Sequence, residues 1–132
     1  MPLAAILTGA NRHDVTQLVP LVDAIPAIAG KVGRPRRRPD IVQGDRGYHS
    51  EPHRRQLRHR GIKPLLAERF KPHGSGLGVY RWVVERTLSW LHQMRRLRIR
   101  WERLPEVHEA FLSLGCSLIC WRYLKHAADS LC

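Results

Sequence analysis

The longest regular alternation of apolar and polar positions runs from Val79 to Arg103, with neither Gly nor Pro to interrupt a helix. On a wheel of about 100° per residue, Val83, Thr87, Trp90, Met94, Leu97 and Trp101 gather on one side, and Arg81, Glu85, Ser89, His92 and Arg96 line the other. The spacing predicts one amphipathic helix with a packing face and a face that presents an acid among bases. Ordinary i,i+4 pairing of Arg81 with Glu85 on a solvated face accounts for that polar line by itself. A functional reading needs support from elsewhere in the chain.

The rest of the pattern is strand, helix, strand, helix, strand. Leu3 to Thr8, apolar and partly branched, reads as a buried strand ended by Gly9. Asp14 is placed to cap a helix in which Val15, Leu18, Val19, Leu21, Val22 and Ile25 recur until Pro26 and Gly30; Pro20 should kink or restart it. Gly30 to Pro39 is a basic loop too rich in Gly and Pro to be helical or to sit in a sheet. Asp40 to Gln43 then leads to Asp45, flanked by Gly44 and Gly47. That is expected where a strand ends and the backbone lets something approach the carboxylate, and an Asp capping the turn into the next helix explains it equally. Glu51 to Arg60 reads as a basic helix with Gly61 at its C-terminal cap, and Ile62 to Leu66 as a short strand. Phe70 to Gly78 is a connector whose glycine spacing matches no phosphate-binding loop. Leu104-Pro105 ends the long helix and starts another, with Val107, Ala110, Phe111, Leu114, Leu118, Ile119, Trp121 and Leu124 as a covering layer on the sheet or at an interface; fraying is expected from His126. The order predicts an α/β fold.

Composition adds a partner. The 132 residues suit one domain, and 43% hydrophobic content can build a core. A formal charge of +12, from 23 Lys and Arg against 11 Asp and Glu, points to a polyanion, with nucleic acid first. Nineteen of the 23 are Arg, whose fork grips phosphate bidentately, although a GC-rich genome raises Arg as well. No apolar run is long enough to span a bilayer, and the start lacks the basic leader and apolar stretch of a signal peptide, which points to an intracellular protein. Cys116 and Cys120 in an apolar helical run read as buried thiols rather than a disulfide or zinc site. The eight histidines are scattered and indicate no metal site, and spacing picks out no Ser-His-Asp arrangement.

Asp45 at a strand end and Glu85 on a following helix, in a basic α/β chain, is what a two-metal phosphoryl-transfer site requires. Ions about 3.5 to 4 Å apart need carboxylates from different elements, one ion activating the attacking oxygen and one stabilising the leaving oxygen. Hard oxygen donors select Mg²⁺ or Mn²⁺. Two carboxylates are too few, and a third is wanted.

The runs Thr8-Gly9-Ala10-Asn11-Arg12-His13-Asp14, Gly33-Arg34-Pro35-Arg36-Arg37-Arg38-Pro39-Asp40, Gly44-Asp45-Arg46-Gly47-Tyr48, His73-Gly74-Ser75-Gly76-Leu77-Gly78 and Arg81-Trp82-Val83-Val84-Glu85-Arg86-Thr87-Leu88-Ser89-Trp90-Leu91 closely resemble bacterial insertion-sequence transposases of the DDE class. The resemblance covers nearly the whole chain, in order. It implies an RNase H-like mixed sheet flanked by helices, in which three acids hold two Mg²⁺ ions, cut the transposon end by hydrolysis and join the freed 3′-OH to target DNA. Asp45 matches the second acid and Glu85 the third, which makes both metal ligands. Arg81 stands where the signature around that Glu has its Arg. His92 stands in place of its Lys, which would make phosphate contact weaker or pH-dependent, and Gly78 in place of its Tyr. Double-stranded DNA, as transposon end and target, is the implied partner. Contacts to its backbone are expected from Arg81, His92 and Arg96, and from Arg34, Arg36, Arg37 and Arg38 in the basic loop.

The family's first acid lies on the first strand of its sheet, whereas this chain is expected to begin near the third; neither Asp14 nor Asp23 is a convincing substitute. Residues 1–132 are thus expected to form the C-terminal part of a catalytic domain that lacks its first strands, in a cytoplasmic, nucleoid-associated bacterial protein. Two functions follow. One is a catalytic-domain fragment of a transposase, expected to bind duplex DNA with salt-sensitive affinity but not to nick it alone, since the missing first acid is a shared metal ligand. The other is a catalytically dead copy that binds DNA or regulates, as a homo-oligomer or by associating with full-length transposase. The test between them is whether Asp45 and Glu85 converge.

Overall fold

The computed structural model describes residues 1–30, 32–70 and 78–129, those at 78–80 by backbone alone. The chain is mixed α/β and divides into two compact units, Thr8–Val79 and a second formed by Met1–Leu7 with Tyr80–Cys132.

The first unit is built on a strand–helix–strand motif. The branched pair Ile41 and Val42 opens β1 (Ile41–Gly44), which lies parallel to β2 (Lys63–Leu66) in the register Ile41↔Lys63 to Gly44↔Leu66. Lys63 N–H to the Asp40 carbonyl and Ala67 N–H to the Gly44 carbonyl, both 2.9 Å, extend the ladder at each end. The crossover helix α2 (Glu51–His59) carries Glu51 and Pro52 in its first turn, where an acid suits the helix dipole and a missing N–H costs nothing. It ends as expected on Gly61, at φ +70°. Gly61 N–H bonds the Arg58 carbonyl and Ile62 N–H the Leu57 carbonyl, both 2.9 Å, the paired bonds of a Schellman ending. The apolar contact that accompanies this ending joins Leu57 and Ile62, at 0% and 1% exposure the centre of the core.

Upstream, a 3₁₀ turn at Asp14–Gln17 passes into α1 (Leu18–Asp23). Pro20 is the third residue of α1, where its N–H would have no intrahelical partner, so the chain restarts rather than kinks. Leu18 and Val22, one turn apart, drop into the core of Leu57, Ile62 and Leu66. Two expectations fail here. His13, not Asp14, is the N-cap, and Asp14 lies inside the first turn, where its charge still faces the positive helix end. Leu3 to Thr8 is not a strand, because a strand needs a ladder partner and none is present among the described residues.

Gly44 shows what the glycines beside Asp45 are for. A Cβ there would meet Leu66 Cδ2 at 2.9 Å and the Tyr48 side chain at 3.2 Å, so the bare backbone lets both pack against the strand end. The basic loop has one anchor in a backbone bridge that its composition does not predict. Ile28 and Arg36 form an antiparallel bridge with bonds of 2.7 and 2.9 Å, and Gly30 and Gly33 are both at positive φ.

In the second unit, α3 (Gly78–His92), α4 (Arg95–Arg98) and α5 (Pro105–Asp129) follow one another. The single helix expected from Val79 to Arg103 breaks at Met94, whose backbone is extended at φ −85°, ψ 111°. Packing overrides local propensity here. A Cβ on Gly115 of α5 would meet Leu97 Cδ1 at 2.8 Å, Met94 Sδ at 2.9 Å and Leu91 Cδ2 at 3.3 Å. The break lets these three side chains converge on the one position of α5 that has no side chain of its own. Pro105 starts α5 as expected, whereas the helix continues through His126 to Asp129 rather than fraying. Within the same unit the Cys120 thiol donates to the Pro2 carbonyl at 3.5 Å. The expected connector at Phe70 to Gly78 falls largely outside the described residues. No helix among the described residues is long and apolar enough to cross a membrane.

Candidate active site

Asp45 follows the last residue of β1 and caps the 3₁₀ turn Arg46–Tyr48 by accepting Gly47 N–H on Oδ1 at 2.9 Å. It is therefore both a strand-end carboxylate and a turn cap, since Oδ2 has no bond to any described residue. Tyr48, half-buried in the core beside it, has its phenol pKa pushed up by burial and then by the charges of Asp14 and Asp45, so the hydroxyl remains protonated at neutral pH. The Arg46 carbonyl accepts from Arg69 Nε at 3.3 Å, which ties the turn to the segment after β2.

Glu85 lies on α3 with Oε1 bonded to Arg81 Nε at 2.7 Å; both side chains are well exposed. This is the i,i+4 pair of a solvated face, and exposed pairs of this kind contribute about 0 to 1 kcal/mol, so either member can exchange it for another partner. Glu85 Oε2 is unengaged among the described residues. Asp45 and Glu85 belong to different compact units, each in its own local setting. Among the described residues no group of three metal-ligand side chains forms. His49 and His53 are four apart, but His49 precedes α2, and His53 Nδ1 is engaged with Ser50 Oγ at 2.7 Å.

The helix break redistributes the bases. Arg96, predicted to share a line with His92, instead bonds the buried Glu102 through Nη1 at 2.8 Å and lies over the Phe111 ring. In its place Arg95 and Arg98 join Ser89, His92 and Gln93 around an open depression of about 450 Å³. The signal that could have revealed them is that Arg95 and Arg98, three apart, share one face of any helix restarted after Met94. Spacing also carried a second missed arrangement. Arg86 stacks between Trp82 and Trp90, one turn away on either side, with its guanidinium 4.4 and 4.8 Å from the ring centres. In the first unit Arg38 Nη1 donates to the Arg60 carbonyl at 2.6 Å, and exposed Arg36 pairs with Asp40 at 3.1 Å. Arg34 and Arg37 stay exposed, and Arg37 also lines a pocket of about 370 Å³ beside the Asp23–Arg60 ion pair.

An acid at a strand end, an acid on a helix and clustered arginines are features of enzymes that transfer phosphoryl groups in nucleic acids. Comparison with known proteins makes the class definite: the Transposase DDE domain family matches residues 1–120, and the chain belongs to it. It is 65% identical over 130 residues to a protein of Burkholderia cepacia assigned as the transposase for insertion sequence element IS402; the match covers 98% of this chain. The chain spans 62% of the length of that relative. No solved structure matches it.

Proposed function

We propose that this chain acts in DNA transposition as part of the catalytic domain of a DDE transposase, an RNase H-like fold in which Asp45 and Glu85 are the metal-binding acids of DNA strand cleavage and transfer. One observation carries the reading. In a chain of this family, Asp45 stands at the end of a parallel strand and Glu85 on the helix bearing Arg81, the two acids that the resemblance sets at the second and third positions. The donors suit the ion, because each carboxylate keeps a hard oxygen with no other bond among the described residues, as Mg²⁺ or Mn²⁺ requires. When bound, such ions activate the attacking oxygen and stabilise the leaving one. The Gly47 amide bonds Asp45 Oδ1, and Arg81 pairs with Glu85 on an exposed face where it can pass to a phosphate.

DNA lies on two basic features in this reading. One is the loop bearing Arg34, Arg36, Arg37 and Arg38, pinned at Ile28 and Arg36. The other is the depression of Ser89, His92, Arg95 and Arg98, which replaces the expected contribution of Arg96. Arginine neutralises backbone charge and releases counterions, so removing one phosphate-binding arginine should lower the salt dependence of binding by about 0.9 in log–log slope. Duplex binding by Arg95→Ala/Arg98→Ala, measured across a salt series, should show a slope smaller by about 2 than the parent chain. An unchanged slope and affinity would remove the depression from the DNA path, and no duplex binding by the parent chain would sink the DNA-handling role.

A further inference from the structure

The face of α5 opposite Gly115 and Ile119 carries a pattern that the active-site reading leaves unused. Val107, Ala110, Leu114, Ser117, Trp121 and Leu124 are spaced 3-4-3-4-3, the a/d spacing of a helix seam, and all six are exposed. Trp121, Leu124 and Leu114 show 66%, 62% and 57% of their surface. The polar member is prepared for burial, since Ser117 Oγ donates to the Ser113 carbonyl of its own helix at 2.9 Å and needs no water. Charge runs along the same helix in one sense. Glu106 and Glu109 stand at its beginning and Arg122 and Lys125 near its end, and none of the four is ion-paired among the described residues.

We propose that this seam is a self-association surface on which α5 of a second copy of the chain lies antiparallel. Antiparallel pairing sets large side chains against small ones layer by layer: Trp121 meets Ala110 of the other copy, Leu114 meets Ser117, and Val107 meets Leu124. It also brings the acidic start of each helix beside the basic end of the other and opposes the two helix dipoles. A parallel arrangement would place Trp121 against Trp121 and acid against acid. The size of the seam sets the strength. Eighteen residues at 1.5 Å per residue span about 26 Å, which buries less than the roughly 800 Å² per partner of a standard interface. An interface of that size falls among weak, transient contacts, so association is expected to depend on protein concentration or on tethering on DNA.

Sedimentation velocity of the full chain from about 1 to about 200 µM should show a monomer–dimer equilibrium in that range. Leu114→Glu, at an exposed position that leaves the circular dichroism spectrum intact, should weaken dimerisation at least about tenfold. Charge reversal fixes the direction. Glu106→Lys/Glu109→Lys should weaken association, and adding Arg122→Glu/Lys125→Glu in the same chain should restore it, because each helix then again meets its opposite. A chain that stays monomeric throughout, a dimer indifferent to Leu114→Glu, or a reversal that the added substitutions fail to rescue would each overturn the proposal.

Discussion

Arg54 holds the strand ends that position Asp45, and its removal should loosen them measurably. It lies on α2 at 8% exposure, and its Nη2 donates to the Leu66 carbonyl at 2.8 Å, where β2 ends opposite Gly44. Its closest acid, Glu51, is half-exposed at 3.8 Å and contributes little. A hydrogen bond from a charged donor contributes about 1.5 to 3 kcal/mol, against which stands the cost of keeping a guanidinium out of water. Arg54→Met keeps the aliphatic stem but leaves the Leu66 carbonyl without this donor, for a loss of about 2 kcal/mol. Arg54→Ala also leaves a cavity and should lose about 3 to 4 kcal/mol. Native-state hydrogen exchange reads this directly at the amides of Ile62, Lys63 and Ala67, which bond Leu57, Asp40 and Gly44. Arg54→Met should speed their exchange about 30-fold at fixed pH, since about 1.4 kcal/mol is tenfold. All four tryptophans, Trp82, Trp90, Trp101 and Trp121, lie in the other unit and serve as an internal control. Exchange within about twofold of the parent chain would refute the reasoning and mark Arg54 as tolerated rather than stabilising.

Three further outcomes follow from particular contacts. Gly61→Ala should cost about 1 kcal/mol in urea denaturation. The penalty comes from φ +70° rather than crowding, because a Cβ there meets only the Arg38 guanidinium at 3.8 Å. Gly115→Val should destabilise the second unit by about 1 to 3 kcal/mol, read by tryptophan fluorescence, because it presses on Leu97 and Met94 at 2.8 and 2.9 Å. Burial pushes the Glu102 carboxyl up, but its own backbone amide, the Arg96 guanidinium and the Trp101 amide outweigh that and hold its pKa below the ordinary carboxylate value. A carboxylate depressed in the folded state stabilises fully above its unfolded pKa, and this contribution is lost as pH falls through the folded value. The second unit should therefore weaken on acidification below about pH 4.3, the unfolded Glu value, and Glu102→Gln should flatten that part of the profile.

The sequence was most legible where local chemistry and packing agree. Gly61 ended α2 as read because only a residue free at positive φ can close that turn, and the branched pair at Ile41 and Val42 marked a strand with a partner within reach. Reading failed where a distant contact decided. Nothing local between Val79 and Arg103 stops a helix; the break at Met94 exists because Gly115, far along the chain, offers three side chains a place to pack. That break removed Arg96 from the predicted basic line and brought in Arg95 and Arg98. Leu3 to Thr8 had strand composition without a ladder partner, which composition cannot report. At the site, the resemblance in wording identified the family, and the structure gave Asp45 its cap and Glu85 its Arg81 partner.

The most direct test of the metal-binding assignment is Mn²⁺ binding to the full chain, followed by electron paramagnetic resonance, for the parent, Asp45→Asn, Glu85→Gln and the double variant. If both carboxylates are metal ligands, Asp45→Asn and Glu85→Gln should each weaken Mn²⁺ binding at least about tenfold, and the double variant should bind no better than the weaker single variant. Single variants that bind Mn²⁺ as the parent does would contradict Asp45 and Glu85 as metal ligands.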